Sequence, residues 1–107
     1  MDNELPLKAL QTEADQWIRT IGGDYFSELT NMAMLAEETG EVARVIARRY
    51  GDQIAKPGDE KVDLGEELSD VLFVVLCLAN QTGIDLQKAW EERMRKKTDR
   101  DPARFSK

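Results

Sequence analysis

Two acidic triplets in this chain share one spacing. The first, Glu37-Glu38-x-x-Glu41, lies within MLAEETGEVARVIARRYG, and the second is Glu66-Glu67-x-x-Asp70. In a helix turning about 100° per residue, each triplet falls within an arc of about 100°. Each helix then presents three carboxylates on one flank, and two such flanks facing each other make a cage of oxygens. A solvated acidic face is the other reading of the same residues, and it calls for bases three or four positions away. Those positions hold only Arg44 around the first triplet and no base around the second. Like charges at that spacing cost a few tenths of a kcal/mol per pair, a penalty that a divalent cation removes.

What the chain lacks bounds the cation. With no histidine and one cysteine, Cys77, it can build neither a protein zinc site nor a Glu-x-x-His di-iron site. A metal here is held by oxygen, which favours Mg²⁺, with Mn²⁺ as a substitute, over Ca²⁺, for which no carbonyl-rich loop is visible. Gly40 and Gly65 each sit beside a triplet at a cost of roughly 1 kcal/mol in a helix interior. They are either simply tolerated or mark a close approach of backbone or ligand.

Four helical segments are expected to position these groups. The first runs from about Leu5 to Arg19 with Pro6 in its first turn, and Gly22-Gly23-Asp24 breaks it. Ser27 caps a second helix reaching Tyr50, with Leu29, Met32, Ala36, Ala43 and Ile46 as an apolar face. GDQIAKPG, residues 51–58, reads as a loop with a turn at Pro57-Gly58. A third helix runs from about Glu60 to Gln81, its core side drawn as Leu64, Leu68, Val71, Leu72, Val75 and Leu78, and Gly83 ends it. Asp85 caps a fourth helix to about Lys97, and Pro102 prevents its long continuation. No strand-like alternation competes, so the class is all-α, a four-helix bundle formed by one domain spanning residues 1–107. Val71 to Ala79 is apolar nearly all round its helix, which predicts a bundle completed or extended by homodimerisation, as a dimer or a dimer of dimers.

Composition excludes several classes of function. Hydrophobic content of 41% and charged content of 34% suit a soluble globular chain. The longest apolar run is too short to span a bilayer, and MDNELPLKAL is neither a signal peptide nor an anchor. No membrane partner is expected, and the lone cysteine fits a reducing cytoplasm. A net charge of −6 argues against nucleic acid as the main partner. Bases nevertheless gather at the end, with Arg93, Arg95, Lys96, Lys97 and Arg100 close together.

With both triplets on the page, the chain resembles the MazG-like members of the all-α nucleoside triphosphate pyrophosphohydrolases. Their signature, Glu-x-x-Glu followed by Glu-x-x-Asp, is matched by Glu38-Thr39-Gly40-Glu41 and Glu67-Leu68-Ser69-Asp70, with 25 residues between. EETGEVAR, EELSDVLFVVLCLAN and GIDLQKAWEERMRKK are similar as well, so the likeness runs from Ser27 onward. The resemblance implies that Glu38, Glu41, Glu67 and Asp70 hold Mg²⁺. Glu37 and Glu66 would orient those ligands or act as the base. Lys96 and Arg100 would contact the nucleotide phosphates, although bases at a helix C-terminus also complement its dipole. Asn80 has a family counterpart near the substrate, or is merely a residue near a helix end. Many relatives carry Asn shortly after the tail lysine, where this chain has Thr98. Trp17, Tyr25 and Phe26 either stack on a nucleobase or pack in the core.

The implied activity is hydrolysis of a (deoxy)nucleoside triphosphate between its α- and β-phosphates, releasing the monophosphate and pyrophosphate, in nucleotide-pool housecleaning. A glutamate would help deprotonate the attacking water, while Lys96 and Arg100 steady the leaving group. No glycine-rich phosphate loop is present to share that work. A different class stays open: a non-catalytic helical dimer that binds divalent metal and pairs with a partner protein.

Overall fold

A computed structural model describes residues 4–52, 54, 56–58 and 61–100. They form four helices and no strand: α1 (Leu7–Thr20), α2 (Glu28–Tyr50), α3 (Leu64–Gln81) and α4 (Leu86–Arg100). No single helix among the described residues is long and apolar enough to cross a membrane.

The ends of the helices are set by local hydrogen bonding. Pro6 stays extended outside α1, and its carbonyl accepts from the amides of Ala9 and Leu10. The chain then reverses where Gly23 and Asp24 take φ of 81° and 86°. Ser27 caps α2, its Oγ accepting from the Thr30 amide at 3.2 Å. α3 starts at Leu64, later than the composition suggests, because the Asp63 carboxylate accepts from the amides of Gly65 and Glu66 at 2.8 and 3.3 Å and fixes the first turn there. The same contact accounts for Gly65, where a Cβ would stand 3.0 Å from Asp63 Oδ1. Gly40 has open space within 4 Å, so no neighbour in the chain requires it. α4 runs on to Arg100, three residues past its expected end, with Arg95 bridging Glu92 and Asp99 along its exposed side.

α3 is the central element, packed against α2 and α1, while α4 packs on α1 and leaves α3 at a bend of 105°. The radius of gyration is 17.0 Å, against about 13 Å for a compact chain of this length. Buried apolar groups are Ala14, Val45, Val74, Leu76, Cys77 and Ala79. The apolar face expected on helix two points away from them: Leu29 is 81% exposed and Met32 65%, with Ile46 and Tyr50 also exposed. On α3, Leu68 and Leu72 of the expected core side are likewise exposed, and the inward side is turned toward Val74 and Cys77. Periodicity finds apolar stripes but not which of two stripes on one helix meets the chain itself.

Polar groups lock the helix ends together. The buried Gln11 side chain donates to Asn80 Oδ1 at 3.0 Å and to the Ile84 carbonyl at 2.8 Å, and accepts from the Leu86 amide at 2.8 Å. This one side chain holds α1 against the junction of α3 and α4. Asn31, buried in α2, donates to Gln81 Oε1 at 2.8 Å.

Candidate functional site

α2 and α3 run antiparallel, with Asn31 beside Gln81 at one end and Arg49 donating to the Val62 carbonyl at the other. The acidic flanks therefore come level along the pair. Glu38, Glu67 and Asp70 each offer a carboxylate oxygen, and these oxygens all lie within 4.8 Å of one another. Glu38 and Glu67 are half-buried and Asp70 is exposed. The Glu38 carboxyl is pushed above the usual carboxylate range, first by burial and then by the like charges of Asp70, Glu67, Glu37 and Glu41. The crowding that the spacing foretells is thus present as an electrostatic cost, the condition a hard divalent cation relieves.

The other acidic candidates stand around this trio. Glu41 is ion-paired with Arg44 at 3.2 Å and lies outside the trio of converging oxygens. Glu37 is exposed, near enough for its charge to act on Glu38. Glu66 is exposed in the first turn of α3, where its amide donates to Asp63.

Beside the trio lies a cavity of about 480 Å³ between α1 and α3. Leu10, Glu13, Ala14 and Trp17 line it from α1, one face of that helix by their spacing; Asp70, Phe73 and Leu76 line it from α3. Trp17 and Phe73 meet edge to face, with centroids 5.8 Å apart and planes at 88°. Asp70 belongs both to the trio and to this cavity. Trp17 was legible as an aromatic candidate, whereas Glu13 and Phe73 were not. Their signal is positional: Glu13 is one turn before Trp17, and Phe73 one turn after Asp70.

Tyr25 and Asn80 are engaged elsewhere. The Tyr25 hydroxyl donates to Asp15 Oδ1 at 2.6 Å and accepts from Asn80 Nδ2 at 3.1 Å, and Asn80 also donates to the Gln11 carbonyl at 2.9 Å. Burial and the Asp15 hydrogen bond push the Tyr25 phenol up to about 12. Asp15 is held below its ordinary value by the same bond and by Arg19, whose guanidinium lies 5.4 Å from the Tyr25 ring centroid. Phe26 is exposed.

Lys96 and Arg100 line a surface depression on α4 together with Arg95 and Asp99. From Asp70 to the end of α3 is roughly 17 Å of helix, and from the start of α4 to Lys96 roughly another 15 Å, around the 105° bend. Lys96 and Arg100 thus stand on α4, beyond the bend, and their depression shares no lining residue with the cavity beside the trio.

The chain and its fold have counterparts among known proteins. A family model described as the MazG nucleotide pyrophosphohydrolase domain matches residues 26–105. YpjD of Bacillus subtilis (strain 168), an uncharacterized protein, is 41% identical over 101 residues, which cover 94% of this chain and 91% of YpjD. The crystal structure of YpjD from Bacillus subtilis superposes with a TM-score of 0.81 at 40% identity, covering 94% of this chain and all of that one. The crystal structure of the Bacillus-conserved MazG protein, a nucleotide pyrophosphohydrolase, gives a TM-score of 0.75 at 39% identity, covering 94% of this chain and 97% of that one.

Proposed function

The chain belongs to the MazG nucleotide pyrophosphohydrolase family, and from that premise we propose that it hydrolyses a (deoxy)nucleoside triphosphate to the monophosphate and pyrophosphate, in nucleotide-pool housecleaning. The observation that carries the proposal is the convergence of Glu38, Glu67 and Asp70 oxygens within 4.8 Å beside an aromatic-lined cavity that Asp70 also lines. Three crowded carboxylates with no nitrogen or sulfur donor suit Mg²⁺, with Mn²⁺ as a substitute. Bound there, the ion would neutralise phosphate charge and polarise the phosphorus under attack.

The chain's own residues supply the rest. Glu41, once turned from Arg44, is positioned one helical turn from Glu38 to join the same ligand set. Glu37 and Glu66, exposed on the same flanks, orient the ligands or accept the proton of the attacking water. Trp17 and Phe73 offer apolar surface for the base, against which an aromatic heterocycle gains contact without exposing its faces to water. Asn80 acts on the substrate through Tyr25 and Gln11, by keeping α1 against α3 and so fixing the width of the cavity.

The working unit of this proposal is a homodimer or a dimer of dimers. Leu29, Met32, Ile46 and Tyr50 of α2 and Leu68 and Leu72 of α3 are exposed apolar side chains, and in this proposal a second copy covers them. In this proposal Lys96 and Arg100, on α4 and apart from the cavity's own lining, make their phosphate contacts at the site of a second copy, where they steady the pyrophosphate leaving group.

Replacing Glu38 or Asp70 by Ala tests the site. Each variant should lose pyrophosphate release while keeping its far-ultraviolet helical signal, since neither side chain is in the core. A folded variant with full turnover would overturn the assignment.

A further inference from the structure

The cavity beside the acidic trio carries one carboxylate besides Asp70, that of the exposed Glu13. Trp17 and Phe73 form its middle and Asp70 stands at the trio end. Toward Leu76, six residues or roughly 9 Å further along α3, the α1 wall is Leu10 and Glu13. No hydrogen bond or ion pair ties Glu13 among the described residues, so its carboxylate is available to a ligand. The length of the α3 wall from Asp70 to Leu76 is of the order that a sugar sets between a nucleotide's α-phosphate and the outer edge of its base.

We propose that Glu13 is a specificity-determining residue that selects bases carrying an exocyclic amino group (cytosine, adenine and guanine) over uracil and thymine. The inference rests on the reading of the cavity as the base site of a nucleotide pyrophosphohydrolase. At neutral pH a glutamate carboxylate accepts hydrogen bonds and donates none. Cytosine N4 and adenine N6 each present it an N–H donor, and guanine presents N1–H and N2–H side by side. Uracil and thymine show a single N3–H flanked by two carbonyl oxygens, and at least one of those must be brought up to the carboxylate. Glu13 is exposed in the free protein, but a base laid against Trp17 and Phe73 displaces the water at its own edge, and oxygen facing oxygen there leaves both without a donor. Discrimination therefore comes from attraction to one class and repulsion of the other. Glu13→Gln replaces half of the acceptor with an amide donor, which pairs with a carbonyl and so removes the bias while keeping the shape of the wall.

Two measurements separate this inference from the reading on which it rests. In the first, Trp90→Phe leaves Trp17 as the sole tryptophan, and its emission is titrated with dCMP and with dTMP, a readout that needs no turnover. The expected result is quenching by dCMP at a concentration about tenfold lower than by dTMP, with the difference gone in the Glu13→Gln form. Equal affinities, a thymine preference, a bias unchanged by Glu13→Gln or no quenching by either nucleotide overturns the inference. In the second, pyrophosphate release is compared for dCTP and dTTP. The ratio of their kcat/KM values should fall about tenfold in Glu13→Gln, carried by KM for dCTP, because the base edge is remote from the bond that breaks. Turnover of both nucleotides with an unchanged ratio overturns the Glu13 assignment and leaves the pyrophosphohydrolase reading standing. Binding with the amino bias but without pyrophosphate release overturns that reading and leaves the assignment standing.

Discussion

Neutralising Glu38 should make the metal-free protein more stable while making it unresponsive to metal. The Glu38, Glu67 and Asp70 oxygens lie within 4.8 Å of one another. At that separation two unit charges in water repel by about 0.9 kcal/mol, so the two pairs made by Glu38 amount to about 1.7 kcal/mol. Screening at physiological ionic strength cuts this to about 1 kcal/mol. Glu38→Gln keeps the size of the side chain and removes the charge, so its thermal midpoint in chelator should exceed that of the parent by about 4 °C. Adding Mg²⁺ should raise the midpoint of the parent and leave the variant nearly unmoved, reversing their order. The pH dependence has a definite sign. Because the Glu38 carboxyl is raised in the fold, its contribution to metal-free stability is present below the ordinary carboxylate value and is lost as pH rises through the raised one. Glu38→Gln should flatten that decline. The assay is thermal unfolding followed by circular dichroism, with and without Mg²⁺ across the acidic range. A variant that melts at or below the parent in chelator would refute the reasoning, as would an equal response of both proteins to metal.

Other outcomes follow from single features. Gly40→Ala should stabilise the chain by about 1 kcal/mol in thermal or urea unfolding, because a helical glycine is replaced where a Cβ meets nothing within 4 Å. A loss of stability would mean that something outside the single chain comes close there. In a Tyr50→Phe variant, spectrophotometric titration of Tyr25 should give a midpoint of about 12, whereas an ordinary tyrosine titrates at about 10. The stability linked to that neutral phenol is intact below the unfolded value and is lost as pH rises through the folded one; an ordinary midpoint would contradict the Asp15 and Asn80 contacts. Ile46→Glu should reduce the light-scattering mass to that of one chain, by placing a charge in the exposed α2 stripe. A parent protein that is already monomeric would contradict the proposed assembly. Mixing inactive Glu38→Ala subunits with inactive Lys96→Ala subunits should restore part of the turnover if the basic pair serves a second copy's site, and no recovery would place the pair's role elsewhere.

The parts of this molecule that were readable in its sequence are those set by short-range chemistry. Ser27, Gly83 and Asp85 act where they were expected, since a cap is a hydrogen bond or a positive φ within a few residues. The acidic triplets were readable for the same reason, as was the claim of Arg44 on Glu41. The inward side of α2 was not. Leu29, Met32, Ala36, Ala43 and Ile46 keep a good helical period, yet the side meeting α3 carries Asn31 and Val45. Asn31 is buried because Gln81, 50 residues on, completes its hydrogen bond, a pairing no local pattern encodes. Gln11 and Asn80 make the same point across 69 residues. The cavity walls are not legible in the sequence, because Glu13 and Phe73 gain meaning only when α1 is laid against α3.

The most direct test of the central claim is product analysis with a panel of ribo- and deoxyribonucleoside triphosphates, with Mg²⁺ and with chelator. The account predicts monophosphate and pyrophosphate in equal amounts, dependent on Mg²⁺ and lost in Asp70→Ala. Orthophosphate as the primary product would show that a different bond is cut, and no turnover of any triphosphate would contradict the account outright.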